Sequence, residues 1–300
     1  MKFIFLIFMI LNSAISISDE SSDHFIVQVE GFTNDSVTIV HDFGERFDTD
    51  CNSDGIYERI DSRASSCPFK AFEPIRITIR GTNNIYTGFN NSRLFRADRY
   101  TILQWGKFQY ISLGIHGGEI NERATDVPDF SNLRRLGLFT NATGIIENAH
   151  LWDMSNASSM SNMFENSSVE IDFQNWDVSN VGDFKRMFYN ARDLNPNIQN
   201  WEFRDDAIVS DMFYLTGLSQ INYDRALSAF YKTHNGQGIN LGTVHASYCR
   251  SEEDREFLIN ERGWNIIDRG KDCTDSIEEC IYSNGLENSS NNTQCGITDD

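Results

Sequence analysis

The sequence predicts an α+β fold assembled as a small β-sandwich, a short repeat solenoid of β/α units and a C-terminal capping segment. Three observations carry this. Short runs of alternating apolar residues fill 24–82, a tryptophan-led motif recurs at spacings of 24 and 25 residues, and a segment with helix start and stop signals covers 251–262. A length of 300 residues is consistent with one to three domains. With 40% hydrophobic and 12% aromatic residues, the chain has the material for packed cores and not the composition of a disordered polymer. Its net charge of -19, from 25 Lys+Arg against 44 Asp+Glu, repels a phosphate backbone, so nucleic acid is excluded as an expected partner.

The chain opens with Lys2, an apolar run from Phe3 to Leu11, and small residues with Ser16 and Ser18 at the places a signal peptidase reads. Residues 1–18 are therefore expected to be a secretory signal peptide. The competing reading, a membrane anchor, needs about 20 apolar residues, roughly twice what this run offers. No second stretch is long and apolar enough to span a membrane. The organisation expected from here on is a sandwich-like module over 19–84, repeats over 85–220, a cap over 221–273 and a flexible Asn- and Ser-rich tail over 274–300.

Within 24–82 the runs FIVQVE, DSVTIV and PIRITIRGT alternate and are bounded by Gly, Asn or Asp, as short strands should be. Between the second and third lies FDTDCNSDGIYERID. Asp50, Asn52, Asp54 and Gly55 stand there at the first, third, fifth and sixth places of a calcium loop, with Asp61 at the twelfth. Alternate oxygen ligands with a Gly at the sharp turn suit Ca²⁺. An ordinary Asx turn between strands uses the same residue types, and no helices flank the loop, so both readings stand. Apart from this possible Ca²⁺, no cofactor is expected.

The six cysteines, Cys51, Cys67, Cys249, Cys273, Cys280 and Cys295, all follow the signal and are even in number, which in an exported chain favours disulfides. Six cysteines allow 15 connectivities. Neighbours in sequence give Cys51 with Cys67, Cys249 with Cys273 and Cys280 with Cys295.

The repeat reads LWDMSNASSMSNMF from Leu151, NWDVSNVGDFKRMF from Asn175 and NWEFRDDAIVSDMF from Asn200. Trp152, Trp176 and Trp201 recur with Met163, Met187 and Met212 and with Phe164, Phe188 and Phe213. Asn156, Asn180 and Asp205 are good N-caps, and the apolar residues that follow at i, i+3, i+4 predict one short helix per unit. A brief extended piece precedes each tryptophan, with Ile171 and Phe173 alternating in one unit and Ile145 and Ile146 in another. Such a unit cannot bury its apolar face alone, so neighbours must stack. The tryptophans are expected to pack between units, an exposed binding ladder being the alternative.

These residues resemble the repeats of the BspA-type leucine-rich-repeat bacterial surface proteins, which read roughly N-W-D-x-S-N-V-x-x-M-x-x-M-F. VPDFSNLRRLGLF, from Val127 to Phe139, looks like a degenerate first unit, and the resemblance spans about Ile85 to Cys273. It implies an immunoglobulin-like module before the repeats, a closing segment after them, and adhesion to host or extracellular proteins without catalysis. The third unit departs from the pattern with Glu202 for Asp and Arg204 for Ser.

The closing segment carries a helix from Ser251 to Arg262, stopped by Gly263, and another capped by Asn222 with Leu227, Phe230 and Tyr231 on one face. An enzyme is not expected: His24, His41, His116, His150, His234 and His245 are scattered, with no HExxH, GxSxG or phosphate loop. Asn141, Asn156 and Asn166 begin Asn-x-Ser/Thr motifs and are read as incidental to an Asn-rich bacterial chain. The expected role is a secreted or cell-surface protein that binds extracellular or cell-surface proteins. A calcium-stabilised structural module is the second reading, and an extracellular hydrolase the third.

Overall fold

The computed structural model describes residues 23–273 apart from 32–34, 41–46, 63, 82–91, 96–97, 108–111, 116, 132, 134 and 137–138. The expected signal peptide, the tail with Cys280 and Cys295, and His41 and His116 therefore lie outside the described residues.

The chain is mostly mixed β-sheet. Alternation buries one face of β1 (Phe25–Glu30), whose Val27 and Val29 are fully buried, against β6 (Ile75–Gly81) with Ile77 and Ile79. β1 pairs antiparallel with β6 on one side and with β8 (Arg99–Gln104) on the other. β3 (Phe47–Asp50) and β4 (Arg59–Ser62) extend the β6 side, again antiparallel. Beyond β8 the direction changes: β10 (Glu119–Glu122), β12 (Thr143–Ile146) and β13 (Ser168–Ile171) add as parallel strands, completing an eight-stranded sheet.

A second sheet repeats the change. β2 (Asp35–Val40) lies antiparallel between β5 (Ala64–Phe69) and β7 (Ser92–Phe95), after which β9 (Ser112–Ile115) and β11 (Arg135–Leu136) run parallel. The three strand runs read from the sequence are β1, β2 and β6, divided between the two sheets. One continuous core reaches from Phe25 to Ile266.

These observations correct the expected α+β fold with a β/α solenoid. Among the described residues there are only two α-helices, α1 (Gln220–Thr233) and α2 (Glu252–Asn260), both after the last unit. The helices expected after Asn156, Asn180 and Asp205 are replaced by turns because the backbone N–H groups look sideways to the next unit. Met160 donates to Asp183 O at 2.8 Å, Asn162 to Lys185 O at 3.0 Å and Phe164 to Met187 O at 2.8 Å. One unit later Phe184, Arg186 and Phe188 donate to Ile208, Ser210 and Met212. Left-handed residues every fourth position, Asn162 and Asn166, Arg186 and Asn190, then Asp211 and Leu215, break any helical run.

The side chains at i, i+3, i+4 are buried all the same. Met160, Met163 and Phe164, and their counterparts in the next two units, are fully buried. Phe164 and Phe188 stack at 5.4 Å between centroids and 3°, Phe188 and Phe213 at 5.8 Å and 3°.

The last unit meets α1, which Ser219 caps by accepting the Asn222 N–H. Asn222 lies within the first turn instead, its amide donating to Asn195 O. Helix α2 is shorter than the expected 251–262, and Gly263 at φ +67 follows its end. Arg255 on α2 pairs with Asp268 at 2.7 Å, and Tyr223 on α1 donates its hydroxyl to the same carboxylate. Parallel strands β14 (Asn240–Thr243) and β15 (Asn265–Ile267) are the last strands among the described residues. No helix among the described residues is long and apolar enough to cross a membrane.

Candidate functional site

The turn after each tryptophan fixes what the repeats show to solvent. Asp153 Oδ1 accepts the Ser155 N–H at 3.0 Å, and Asp177 Oδ1 accepts the Ser179 N–H at 3.0 Å. Hydrogen bonds from the Ser179 side chain and backbone hold the Asp177 carboxyl below its ordinary value. In the third unit Arg204 takes the serine's place and grips Asp206 through Nε at 2.9 Å and Nη2 at 2.8 Å, while its Nη1 reaches back to Asn180 O. Asp153, Asp177 and Glu202 are all exposed, one per unit at the residue after the tryptophan. Between the second and third lies a depression of roughly 490 Å³ lined by Asn175, Asp177, Ser179, Asn200 and Glu202.

Trp152, Trp176 and Trp201 are buried, 4%, 3% and 1% exposed, although Trp176 also lines the depression. The Trp176 indole N–H donates to Ala149 O at 2.8 Å and that of Trp201 to Phe173 O at 3.1 Å, in each case back into the preceding unit. Trp152 stacks on Trp176 at 6.0 Å, but its indole N–H finds no acceptor among the described residues. Asn148 Nδ2 occupies the Ala124 carbonyl, 28 residues before Trp152.

Along another edge the exposed asparagines of two Asn-x-Ser/Thr motifs form a ladder. Asn166 Nδ2 donates to Asn141 Oδ1 at 3.0 Å, and Asn190 Nδ2 to Asn166 Oδ1 at 2.7 Å. All three hold φ between 54° and 58°, a conformation asparagine tolerates. Asn156 of the remaining motif is also exposed.

In the acidic loop, Asp50 is buried at the end of β3 and turns its carboxylate onto the loop's own backbone. Oδ1 accepts from Asn52 and Asp54, and Oδ2 from Gly55 at 2.8 Å, with Gly55 at φ +87. Asn52 Nδ2 donates to Asp54. Oxygens of Asp50, Asp54 and Glu58 lie within 4.8 Å of one another. Glu58 stands at the ninth place of the calcium pattern, a position the sequence reading passed over, while Asn52 faces Asp54 as a donor. Asp61 falls in β4, and its side chain lies outside the described residues. Glu58 also accepts the Cys51 N–H at 2.7 Å.

Cys51 and Cys67 form a disulfide that ties the end of β3 in one sheet to β5 in the other. Cys249 and Cys273 form the second, across the cap. Of the described histidines, His150 is exposed against Glu147 O, whereas His234 is buried between the last unit and the cap.

Residues 118–226 match the model of a family described as "Mycoplasma protein of unknown function, DUF285". The match begins just before β10 and takes in the three tryptophan units and half of α1. No curated protein and no solved structure matches the chain.

Proposed function

We propose that the protein is a non-catalytic binding protein of the outside of the cell, engaging extracellular or cell-surface proteins through the exposed residues of its repeats. The observation that carries this is the row Asp153, Asp177 and Glu202, held one per unit on a backbone that unit-to-unit hydrogen bonds keep rigid. Evenly spaced carboxylates on a chain of net charge -19 favour basic patches on a partner and steer its approach. Two disulfides and the family match over 118–226 support an extracellular setting, as does the signal-like amino terminus. The finer BspA-like likeness of NWDVSNVGDFKRMF supports adhesion as the role.

Biolayer interferometry of residues 19–273 against a panel of extracellular-matrix and cell-surface proteins tests this. A saturable, salt-sensitive signal that falls about tenfold in the Asp153→Asn, Asp177→Asn, Glu202→Gln variant is the expected result. Absence of binding across the panel, or a signal indifferent to those substitutions, overturns it.

A second reading, a calcium-stabilised structural module, rests on the approach of Asp50, Asp54 and Glu58. Against it, Asp50 already accepts three backbone N–H groups, which is what a purely structural turn requires. A melting temperature raised by calcium over chelator in the wild type, and not in Glu58→Gln, would favour the second reading.

A further inference from the structure

We propose that the cleft between α1 and the turn leading into α2 binds a sulfate- or phosphate-type oxyanion, as a free ion or as an ester group on a larger ligand. Arg225, Ser228, Ala229 and Lys232 stand at i, i+3, i+4 and i+7 on α1 and form one stripe along it. Arg250 and Ser251 face them from the turn, Gln199 of the last repeat unit closes a third side, and the space enclosed is roughly 230 Å³. Guanidinium forks, an ammonium and a side-chain amide are the donors that oxyanion sites use.

The cleft is a local exception to the charge of the molecule. Three cations line it against a single carboxylate, Asp224, on a chain whose net charge is -19. That carboxylate is turned inward: it accepts the N–H groups of Cys249 at 3.1 Å, Arg250 at 3.1 Å and Ser251 at 3.0 Å, and the Ser251 hydroxyl at 2.6 Å. Its negative charge is thus met by four donors, and the same bonds pin the Arg250 turn onto α1. The Cys249–Cys273 disulfide begins at the adjoining residue and fixes that turn from the other side.

Of the acids that open α2, one pairs away from the cleft and one reaches its edge through Ser228, a lining residue. Glu252 pairs with Lys271 at 2.6 Å, and Asp254 accepts the Ser228 hydroxyl. Arg225 uses Nη1 on Asn222 Oδ1 at 2.9 Å, which orients its guanidinium and leaves the rest of the fork available. Neither Arg225 nor Lys232 is ion-paired among the described residues. The site is separate from the acidic row of the repeats and has the opposite sign, so it recognises a different chemical group.

The test is a titration of the full chain followed by amide chemical shifts, using sodium sulfate and sodium phosphate against sodium chloride of equal ionic strength. Saturable shifts centred on 225–232 and 249–251, and an affinity about tenfold weaker in Arg225→Gln/Lys232→Gln, are expected. Lys185→Gln, a distant surface cation, should bind as the wild type does. A heparin-derived oligosaccharide that binds more tightly than inorganic sulfate, where its desulfated form does not, identifies an ester on a chain as the ligand; equal affinity of all three anion sources for the same residues identifies the free ion. Shifts reproduced by chloride, or an affinity unchanged in the double variant and also in Arg250→Gln, overturn the proposal. The acidic-row variant should bind sulfate normally, so the two proposals can fail separately.

Discussion

His234 sits where the last repeat meets the cap, with its Nε2 at 3.0 Å from Ala207 O and its Nδ1 at 3.1 Å from the Gly236 N–H. The partners assign the tautomer: Nε2 donates and Nδ1 accepts, which only the neutral ring can do. Burial holds the imidazole below its ordinary value, and Arg262 acts in the same direction while Asp205 opposes it. As the pH falls, the unfolded chain takes up this proton before the folded one does. Its contribution to stability is therefore whole above about pH 6.5 and declines below it, towards the folded-state value. Chemical denaturation across pH 5 to 8 should show this decline in the wild type and a flatter profile in His234→Gln. Glu122 works in the opposite sense. Burial raises its carboxyl although Trp105 Nε1 donates to it at 2.5 Å and the Asn148 N–H at 2.9 Å, so its contribution is whole at low pH and is lost as pH rises through the raised value. Phe188, stacked on both sides by rings of neighbouring units, should be the most sensitive apolar residue. Phe188→Ala is expected to cost about 3–5 kcal/mol in denaturant unfolding, because the cavity left between two rings cannot close. The identity of such core residues was legible through recurrence alone. A solitary histidine has no recurrence to betray it, and neither had Arg225, Lys232 or Arg250, which only the fold brings together.

Each repeat unit shows where local propensity yields to its surroundings. The spacing of Met160, Met163 and Phe164 matches one helical face, but a tight turn with left-handed residues every four positions presents the same side chains inward. The deciding quantity is the destination of the backbone N–H groups, which a neighbour 24 or 25 residues away provides and a single unit cannot reveal. The strands were easier to read, since β1 and β6 alternate in sequence, although Ile26 and Thr78 on their second face are buried as well. What the sequence did not disclose was the pairing, including the turn from antiparallel to parallel at β8. Gly144 on β12 carries a prediction of this kind. It holds φ +114, and a Cβ there would lie 2.0 Å from Ile120 O on β10, so Gly144→Ala must prise two paired strands apart. A fall in melting temperature of several degrees, larger than for Gly238→Ala in open space, should be seen by circular dichroism.

The two parts of the molecule are joined through β8, which bonds to the antiparallel strand β1 and the parallel strand β10, and in the second sheet through β7, which bonds to antiparallel β2 and parallel β9. The boundary expected between 84 and 85 falls in a stretch outside the described residues, but the sheet and the core continue across it. Calorimetry of residues 19–273 should accordingly give one cooperative transition; two well-separated peaks would count against a shared sheet. The Cys249–Cys273 bridge closes a segment of 24 residues around α2, and its reduction should remove about 3 kcal/mol of stability.

The sideways hydrogen bonds of the turns have a consequence for how such a molecule could change size. Each unit donates to the next through equivalent residues, from Met160 to Asp183 and again from Phe184 to Ile208. An in-frame duplication of one unit therefore brings its own acceptors and rings, and its neighbours need no new residue to receive it. The chain would lengthen by about 4.8 Å, one strand spacing, and gain one more carboxylate in its row. Length, on this view, is set by counting copies, while both ends of the molecule keep their original contacts.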